Sequence, residues 1–452
     1  MSGGGKIHFV GIGGCGMSAL AQFRALGGDA VTGSDRDFDR GGQADLKRAL
    51  QDLGVVLFPQ DGSGVDAGTA KLVVSGAIEA DNPELVRARA HGVPVEHRAD
   101  ALAGQVSGNS TLAVAGTSGK STVTAMIFEI LVAAQRSPSL ITGAPLITLS
   151  RKGLVGNAFR GQSNLLVIEA DESDGTLPRY HPWIGVLLNI GKDHKEIAEL
   201  AELFSLFRSQ SERCVVNADD AGLARQAAGA LTFGFTGGDL RGEHLDVMPD
   251  GSWFVAGGVE FNVPLPGRHN AENALAAAAA AQAAGASLNA AAAALSVYKG
   301  VARRFQYVGS ARGIEVYDDY AHNPDKVRAM LAAAHLRAER VLAVFQPHGF
   351  GPTRFLRDEF IESFVAALGP RDVLWMPEIY YAGGTAVKDI SAEDLTRPVQ
   401  ERGRDARFVA DRAAIPAAIA REARAGDLVL VLGARDPSLS GFAGEVLEAL
   451  KP

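Results

Sequence analysis

A short glycine-containing loop stands directly after an apolar run of the sequence. Residues 115–122 read A-G-T-S-G-K-S-T and follow T-L-A-V at 111–114. In a strand–loop–helix unit, the backbone N–H groups of such a loop converge on an anion, and the helix adds the positive end of its dipole. The Lys120 ammonium can reach the β- and γ-phosphates of a nucleotide, and the Ser121 hydroxyl can ligate Mg²⁺. The sequence therefore predicts that this loop binds ATP.

Carboxylates and a histidine follow the next apolar runs of the chain. Residues 165–168 (L-L-V-I) lead into an acidic cluster made of Glu169, Asp171, Glu172 and Asp174. Carboxylates this close repel one another unless cations lie nearby, and a solvated acidic loop is the alternative interpretation. The apolar run at 184–188 leads into N-I-G-K-D-H, which ends at His194. Because ligands bind at the carboxyl ends of parallel strands, we expect a metal and phosphate centre here.

A second glycine loop lies near the start of the chain. Residues 10–16 read V-G-I-G-G-C-G and contain G-x-G-x-x-G between a predicted strand and a predicted helix. Asp35 follows at the end of the second predicted strand. This pattern binds a pyrophosphate together with its neighbouring ribose. An NAD-dependent oxidoreductase, a protein that binds a UDP-sugar, and a glycine-rich turn without a ligand all remain open.

The elements that must position these loops alternate between strand and helix. Apolar patterning predicts strands at 7–12, 30–33, 55–58, 72–75, 93–96, 112–115, 165–169, 184–189, 314–317, 341–345, 373–377 and 428–432. It predicts helices at 17–26, 46–53 and 83–91. This alternation favours parallel sheets with helices on both faces, and residues 104–110 (G-Q-V-S-G-N-S) are predicted to form a linker.

An alanine-rich stretch at 274–295 could be read as a membrane segment. It contains Gln282 and Asn289, and alanine contributes little to membrane insertion compared with leucine. We therefore predict a pair of helices broken near residues 285–288 and no membrane insertion.

Length and composition limit the class of protein. The chain has 452 residues, of which 47% are hydrophobic and 21% charged, which suits about three globular domains. A net charge of −8 without a strong basic run argues against a nucleic-acid partner. Cys15 and Cys214 supply neither a zinc pattern nor a disulfide framework, and the N-terminus lacks the apolar core of a signal peptide. We therefore expect a cytoplasmic protein.

In chain order, these motifs resemble those of the Mur ligases, which use ATP to join a carboxylate to an amine. The loop at 115–122 resembles the family's G-[ST]-x-G-K-[ST], and residues 189–194 resemble its N-x-x-x-D-H. Further matches are G-R-H-N-A-E-N at 267–273, V-A-R-R-F at 301–305 and D-D-Y-A-H-N-P at 318–324. The resemblance covers essentially the whole chain. It implies an α/β protein with an N-terminal Rossmann-like UDP-binding domain (1–106), a central P-loop ATPase-type α/β domain (107–308) and a C-terminal Rossmann-like α/β domain (309–452).

The resemblance also implies a role for each motif residue. It places magnesium at Ser121, Glu169 and His194, and it assigns catalysis to Lys120, Glu169, His194 and Arg304. The implied ATP contacts are Gly116, Thr117, Ser118, Gly119, Lys120, Ser121, Thr122, His269, Asn270, Asn273, Arg304 and Asp319. The implied UDP-sugar contacts are Gly11, Gly13, Gly14, Gly16, Ser34, Asp35 and Ser75, and the implied acceptor contacts are His322, His348 and Arg354. Asn270 also suits a helix cap, and both roles can hold together.

The implied reaction uses ATP and Mg²⁺ to join L-alanine to the lactyl carboxylate of UDP-N-acetylmuramate through an acyl phosphate, in peptidoglycan precursor synthesis. Several Mur ligases carry a carbamylated lysine shortly after the motif histidine. Here Lys195 comes too early and the next lysine is Lys299, which matches the alanine-adding branch. The chain departs from the family pattern at Ser118, Lys192, Asn323 and Gly349, and such changes can alter the acceptor. A monomer or weak homodimer is expected.

Other functions remain open on the sequence alone. A recycling ligase would add a preformed tripeptide to the same UDP-sugar. An NAD-dependent oxidoreductase would use the N-terminal glycine loop but leave the loop at 115–122 without a role. A P-loop switch or transport ATPase would need a Walker-B acid and a coupling surface. A non-catalytic nucleotide-binding regulator is not supported by any obvious loss of the metal ligands.

Overall fold

The computed structural model of the protein describes residues 5–172, 175–191, 197–381 and 386–451. Within these ranges the chain forms three β-sheets flanked by helices, as expected for an α/β protein. The chain divides into two compact units. The first comprises Met1–Leu245, Trp253–Pro264 and Asn270–Val301, and the second comprises Asp246–Ser252, Leu265–His269 and Ala302–Pro452. The predicted domain boundaries at 106/107 and 308/309 stay predictions.

The first sheet carries the N-terminal glycine loop. Its strands are β1 (Lys6–Val10), β2 (Val31–Ser34), β3 (Val56–Phe58), β4 (Thr69–Val74) and β5 (Val95–His97). The helices here are α1 (Cys15–Leu26), α2 (Arg36–Asp39), α3 (Ala44–Asp52), α4 (Pro83–His91) and α5 (Arg98–Ser107). The strands run parallel in the order β3-β2-β1-β4-β5. The loop after β1 therefore lies where the strand order reverses, which is where open α/β sheets bind ligands.

Two helices of this sheet test the boundaries predicted from sequence. The predicted helix at 83–91 is confirmed, since the Asn82 side chain caps its first turn and Gly92, with φ +65°, ends it. The predicted linker at 104–110 is wrong. Helix α5 continues to Ser107 because Leu102 and Val106 are buried against the core, and this packing outweighs the weak helix propensity of the segment.

The second sheet carries the loop at 115–122. Its strands are β6 (Ser110–Ala115), β7 (Ser139–Ile141), β8 (Ala158–Phe159), β9 (Leu165–Glu169), β10 (Ile184–Leu187), β11 (Arg213–Asn217), β12 (Leu231–Gly234), β13 (Leu240–Met248), β14 (Gly251–Ala256) and β15 (Val259–Val263). Their order is β15-β14-β13-β12-β11-β10-β6-β9-β7-β8. Because β6 runs parallel to both β9 and β10, the residues that follow these three strands meet at one edge of the sheet.

The helices that follow in this part of the chain are α6 (Lys120–Ala133), α7 (Ile147–Ser150), α8 (Ile197–Gln210), α9 (Arg268–Ala283) and α10 (Leu288–Ser296). The break between α9 and α10 confirms the predicted pair of alanine-rich helices. Ser287 caps the start of α10, and its side chain accepts a hydrogen bond from the Ala290 N–H. Among the described residues, no helix combines the length and the apolar character needed to cross a membrane.

The third sheet belongs to the second unit. Its strands are β16 (Gln306–Ala311), β17 (Ile314–Asp319), β18 (Val341–Gln346), β19 (Val373–Met376), β20 (Asp405–Phe408) and β21 (Leu428–Gly433). Its helices are α11 (Pro324–His335), α12 (Phe350–Phe355), α13 (Arg357–Ala367), α14 (Glu393–Glu401), α15 (Ile415–Glu422) and α16 (Leu439–Ala449). In the order β16-β17-β21-β18-β19-β20, β16 is antiparallel to β17 and the other pairs are parallel. The central strands are apolar and buried, as expected when helices cover both faces.

Candidate active site

The predicted phosphate loop connects β6 to α6, as the sequence indicated. Gly116 and Gly119 have φ values of +145° and +85°, which side-chain-bearing residues rarely adopt. A Cβ atom placed on Gly119 would lie 2.4 Å from Oδ1 of Asn273. The structure thus brings Asn273, one of the predicted ATP contacts, against the loop, and a larger residue at position 119 would separate them.

Asn189 holds this loop in shape. Its Oδ1 accepts hydrogen bonds from the Thr117 hydroxyl and the Ser118 N–H, both at 2.9 Å, and its Nδ2 donates to the Ser118 carbonyl at 3.1 Å. This role of Asn189 was not predicted, since in the sequence it is only the first residue of the N-x-x-x-D-H pattern. The available signal was a polar amide directly after an apolar strand, at the edge where the strands of a parallel sheet end.

Lys120 lies between the loop and the acidic cluster. Its Nζ donates to the Gly116 carbonyl at 2.9 Å and to Glu172 Oε2 at 2.7 Å, and it lies 3.8 Å from Asp171 Oδ1. Burial alone would lower the pKa of Lys120, but the carboxylates of Glu172, Asp171 and Glu169 raise it above its usual range. Burial raises the pKa of Glu172. A cation does lie beside the cluster, so its described members are not simply a solvated loop.

Glu169 and Ser121 meet next to Lys120. The Ser121 hydroxyl donates to Glu169 Oε1 at 3.0 Å. Glu169 Oε2 accepts from the Thr142 hydroxyl at 3.0 Å and from the Gly143 N–H at 2.9 Å. A hydroxyl beside a carboxylate is a set of oxygen donors that suits Mg²⁺.

His194 lies outside the described residues, as do Lys192, Asp193 and Asp174. Within the part of the chain that the structure describes, no group of three His, Cys, Asp or Glu side chains has the spacing of a metal site. The described donors therefore fit a sparse site that would take further ligands from phosphate oxygens and water.

The N-terminal glycine loop is shaped by Asp35. Gly11 has a φ of +74°, and the Gly13 N–H donates to Asp35 Oδ2 at 2.8 Å. A Cβ atom on Gly13 would lie 2.9 Å from the same oxygen. Asp35 Oδ1 accepts from the Asp37 N–H and caps α2. Asp35 thus lies at the loop, as predicted, and the loop's own backbone uses part of its hydrogen-bonding capacity.

Ser34 acts on the loop through its backbone. Its carbonyl accepts hydrogen bonds from the Gly11 and Ile12 N–H groups at 2.8 and 3.0 Å. Its side chain is fully buried, and the hydroxyl donates to Glu84 Oε2 at 2.7 Å. Glu84 Oε1 lies 3.0 Å from Nε2 of the buried His8. In this conformation a direct contact between the Ser34 hydroxyl and a ligand would require the hydroxyl to leave Glu84.

The surroundings of this loop include one residue that was not predicted from the sequence. The Gly14 N–H bonds to the Gly11 carbonyl at 3.2 Å, and Ser75 directly follows β4. Arg98 was not predicted, yet a Cβ atom on Gly16 would lie 2.9 Å from its Nη1. A guanidinium beside a predicted diphosphate loop is a functional candidate. The only signal in the sequence was a basic residue at position 98. It begins α5, whose last residues fell in the predicted linker at 104–110.

In the second unit, Asp319 holds the segment that carries Arg304. Its Oδ2 accepts from the Phe305 N–H at 2.6 Å, and its Oδ1 accepts from the Ala321 N–H at 2.7 Å. Arg303 and Phe305 have φ values of +58° and +45°, so this segment has an uncommon backbone conformation. Burial raises the pKa of Asp319 to about 6. Asp319, predicted as an ATP contact, therefore also has a structural role in this segment.

The predicted acceptor residues lie in the same unit. The rings of His322 and His348 are brought together, with centroids 5.5 Å apart. Arg354 pairs with Asp389. Two departures from the family pattern have local explanations here: the Asn323 side chain caps α11, and Gly349 has a φ of +70°.

Two of the predicted ATP contacts, His269 and Asn270, lie in the first turn of α9. Asn270 is buried, and His269 as a whole residue is partly exposed. Desolvation lowers the pKa of His269 to about 4, so its imidazole is neutral at pH 7.

Comparison with known proteins gives matches along most of the chain. Residues 6–109 match the Mur ligase family catalytic domain, 114–281 the Mur ligase middle domain, and 303–435 the Mur ligase glutamate ligase domain. A UDP-N-acetylmuramate–L-alanine ligase of Arthrobacter sp. (strain FB24) is 40% identical, covering 94% of this chain and 91% of the relative. The enzyme of the same name from Streptomyces coelicolor is 38% identical, and the match covers 95% of this chain and 94% of the relative.

Solved structures give the same result. A crystal structure of UDP-N-acetylmuramate–alanine ligase from Thermotoga maritima is 27% identical and has a TM-score of 0.81, with 98% of both chains covered. A murein peptide ligase from Psychrobacter arcticus is 23% identical with a TM-score of 0.71, covers 99% of both chains, and shows likeness in fold alone.

Proposed function

The chain belongs to the Mur ligase family, and we propose that it joins L-alanine to the lactyl carboxylate of UDP-N-acetylmuramate at the expense of ATP. Relatives that carry the name UDP-N-acetylmuramate–L-alanine ligase align over nearly the full chain. The single observation that supports the chemistry best is the arrangement of Lys120, Ser121 and Glu169 at the end of β6. This arrangement gives a phosphate loop, a charged lysine and two oxygen donors for a cation at one edge of a sheet.

The reaction needs ATP because a carboxylate is a poor electrophile for an amine. In the first step, an oxygen of the lactyl carboxylate attacks the γ-phosphorus, the bond to the β-phosphate oxygen breaks, and ADP leaves. In the second step, the amine of L-alanine attacks the acyl carbon of the acyl phosphate. The tetrahedral intermediate then expels phosphate, and the amine loses a proton as the amide forms.

The chain's own groups stabilise the transferred phosphoryl group by position and charge. The N-terminus of α6 would face the phosphates, together with the loop N–H groups that Asn189 does not already accept from, and the Lys120 ammonium carries a full positive charge. Lys120 now pairs with Glu172, so phosphate oxygens would replace this partner when ATP binds. Ser121, Glu169 and the undescribed His194 would hold Mg²⁺, which when bound neutralises charge on the phosphates. Arg304 is proposed to add a second cation.

The test is a ligation assay with defined acceptors. The protein would be incubated with UDP-N-acetylmuramate and Mg-ATP, with L-alanine, other amino acids or a tripeptide added in turn, and phosphate release measured. L-Alanine is expected to give the fastest release. A tripeptide preference would instead assign the chain to recycling. The proposal would be contradicted if phosphate were released without any acceptor. It would also be contradicted if the protein bound a nicotinamide cofactor and released no phosphate.

Lys120→Ala tests the assigned lysine. We expect turnover to fall by at least about 10²–10³-fold, because the variant loses a cation aimed at the charge that develops in the transition state. Calorimetry should find UDP-N-acetylmuramate affinity within about threefold of the wild type, since the sugar nucleotide is assigned to the other glycine loop. Lys152→Ala, at an exposed lysine of the same unit, should leave turnover unchanged. Retained turnover in Lys120→Ala would remove the lysine's assigned role.

A further inference from the structure

A polar network is buried where the helix after the N-terminal glycine loop meets the second sheet. Helix α1 packs against β7 and β8, and the Arg160 guanidinium lies 4.6 Å from the Phe23 ring. At this contact Ser18, Gln22 and Asn157 are each no more than 3% exposed. A buried polar group that lacks a hydrogen-bond partner is destabilising, so such a cluster persists only if its members satisfy one another.

Asn157 is the centre of this network. Its Nδ2 donates to the Cys15 carbonyl and to the Ser18 hydroxyl, both at 3.1 Å. Its Oδ1 accepts from Gln22 Nε2 at 2.8 Å. Every polar group of the Asn157 side chain therefore has a partner on α1. One of those partners, the Cys15 carbonyl, belongs to the first residue of the helix, which is also part of the glycine motif at 10–16.

The backbone of Asn157 continues the chain of hydrogen bonds towards the other loop. Its carbonyl accepts from the Thr142 N–H at 3.0 Å. The Thr142 hydroxyl donates to Glu169 Oε2 at 3.0 Å, and Glu169 Oε1 accepts from the Ser121 hydroxyl at 3.0 Å. Thr142 is 3% exposed, so solvent does not compete with its contacts. A continuous path of hydrogen bonds, with Asn157 and Thr142 buried at its centre, thus joins the first residue of α1 to the first turn of α6.

We propose that Asn157 is a positioning residue that couples the two substrate sites, so that occupation of one glycine loop favours the bound geometry of the other. This inference rests on the proposed function, in which the N-terminal loop takes a UDP-sugar and the loop at 115–122 takes ATP. When the first loop closes on a diphosphate, the start of α1 moves with it. The Asn157 amide follows the Cys15 carbonyl, and Thr142 passes the displacement to the carboxylate that faces Ser121.

The measurable consequence is a coupling free energy between two ligands. Titration calorimetry would measure the affinity for the Mg²⁺ complex of a non-hydrolysable ATP analogue, with and without saturating UDP-N-acetylmuramate. In the wild type we expect the sugar nucleotide to raise this affinity about 5–150-fold, and the reverse titration must give the same factor by linkage. Asn157→Ala should reduce the factor to below a third of the wild-type value, while each ligand alone binds within about threefold of the wild type.

Two further variants separate coupling from general damage to the fold. Thr142→Val removes only the hydroxyl link to Glu169 and should lower the factor as much as Asn157→Ala. The double variant should show no further loss, because both changes interrupt one path. Gln226→Ala is the matched control: Gln226 is also a buried amide of this unit, bonded to Ser205 and Ala201, but lies off the path. It should keep the wild-type factor even if its melting temperature falls.

The outcomes distinguish this inference from the proposed function. The coupling path would be overturned, while ligation activity stands, if UDP-N-acetylmuramate left the wild type's affinity for the ATP analogue unchanged. It would also be overturned if Asn157→Ala and Thr142→Val kept the wild-type coupling factor, or if Gln226→Ala lowered that factor equally. Failure of the wild type to bind UDP-N-acetylmuramate or to ligate L-alanine would overturn the proposed function, and the inference with it. If Asn157→Ala does not fold, the Thr142→Val titration decides alone.

Discussion

Several side chains predicted to meet substrates are already bonded to protein groups. Lys120 pairs with Glu172, Asp319 accepts two backbone N–H bonds, and the Ser34 hydroxyl donates to Glu84. Such partners offset the cost of keeping charged or polar groups partly buried before the ligand arrives. The identities of Glu172 and Glu84 are therefore as important for the site as those of the ligand-facing residues.

Asp319 gives a pH dependence whose sign can be stated. Burial raises its pKa to about 6 from an ordinary value near 4, so between these pH values the folded chain holds a proton that the unfolded chain has released. The free energy of unfolding should therefore fall as pH rises from 4 to 6, by about 2–3 kcal/mol. The side chain of the Asp319→Asn variant cannot ionise. The unfolding free energy of the variant minus that of the wild type should therefore increase as pH rises from 4 to 6.

Denaturant unfolding at several pH values, followed by a probe in the second unit, would measure this difference. Asp405→Asn is a suitable control because Asp405 is an exposed carboxylate of the same sheet. A difference between Asp319→Asn and the wild type that stays flat from pH 4 to 6 would show that Asp319 ionises normally.

At the scale of elements, a buried network fixes the strand that precedes the N-terminal glycine loop. His8 on β1 lies 2.8 Å from the Thr32 hydroxyl on β2 and 3.0 Å from Glu84 on α4. Glu84 also accepts from Ser34, whose carbonyl holds the loop. One carboxylate thus ties two strands and a helix together directly beneath the predicted diphosphate site.

Glu84→Ala should weaken both the fold and the sugar-nucleotide site. The change leaves buried groups of His8 and Ser34 without their partner, at a cost of about 2–4 kcal/mol in unfolding free energy. Affinity for UDP-N-acetylmuramate, measured by calorimetry below the melting temperature, should fall at least tenfold because the Ser34 carbonyl shifts. Affinity for the ATP analogue alone should change less.

Glu79→Ala is the matched control for this change. Glu79 pairs with Arg36 at the surface, and exposed ion pairs contribute at most about 1 kcal/mol. If Glu84→Ala were no more destabilising than Glu79→Ala, the network would have no role in holding the loop.

At the scale of the molecule, the first unit has an apolar core common to two sheets. A single cluster of buried side chains includes Phe9 and Phe23 of the first sheet region and Leu166 and Phe204 of the second. The second unit has separate clusters around Phe345 and around Trp375. Because shared burial makes elements unfold together, we expect the first two sheets to respond as one body to a ligand.

Hydrogen exchange would test this expectation with UDP-N-acetylmuramate alone. All residues assigned to this ligand lie in the first unit, so binding should slow exchange in strands of both its sheets, such as β1 and β6. At a ligand concentration about 100 times Kd, stabilisation is about 2.7 kcal/mol, or roughly 100-fold slower exchange through opening of that unit. Strands β18 and β21 should be unaffected, and equal protection there would contradict the assignment.

Much of the fold was predictable because local patterns agreed with the final packing. The helix at 83–91 carries a cap, a proline at its first turn and a glycine after its end, and the strand at 165–169 is a buried apolar run, so both are confirmed. The linker prediction failed because glycines and serines in α5 suggested flexibility, whereas Leu102 and Val106 are buried only in the folded unit. Asn189 and Arg98 were missed because their partners lie far away in sequence.

The sequence by itself determined that this chain has two glycine loops with strand–loop–helix context, that its class is α/β and that it belongs among the Mur ligases. These features depend on residue types at short spacing, which the backbone conformations of such loops require. Only the tertiary structure decided that Asn189 braces the phosphate loop, that Glu172 is the partner of Lys120, and that Asn157 lies between the two loops. Hydrogen bonds between residues 52 to 142 positions apart depend on how sheets pack, and no local pattern encodes that packing.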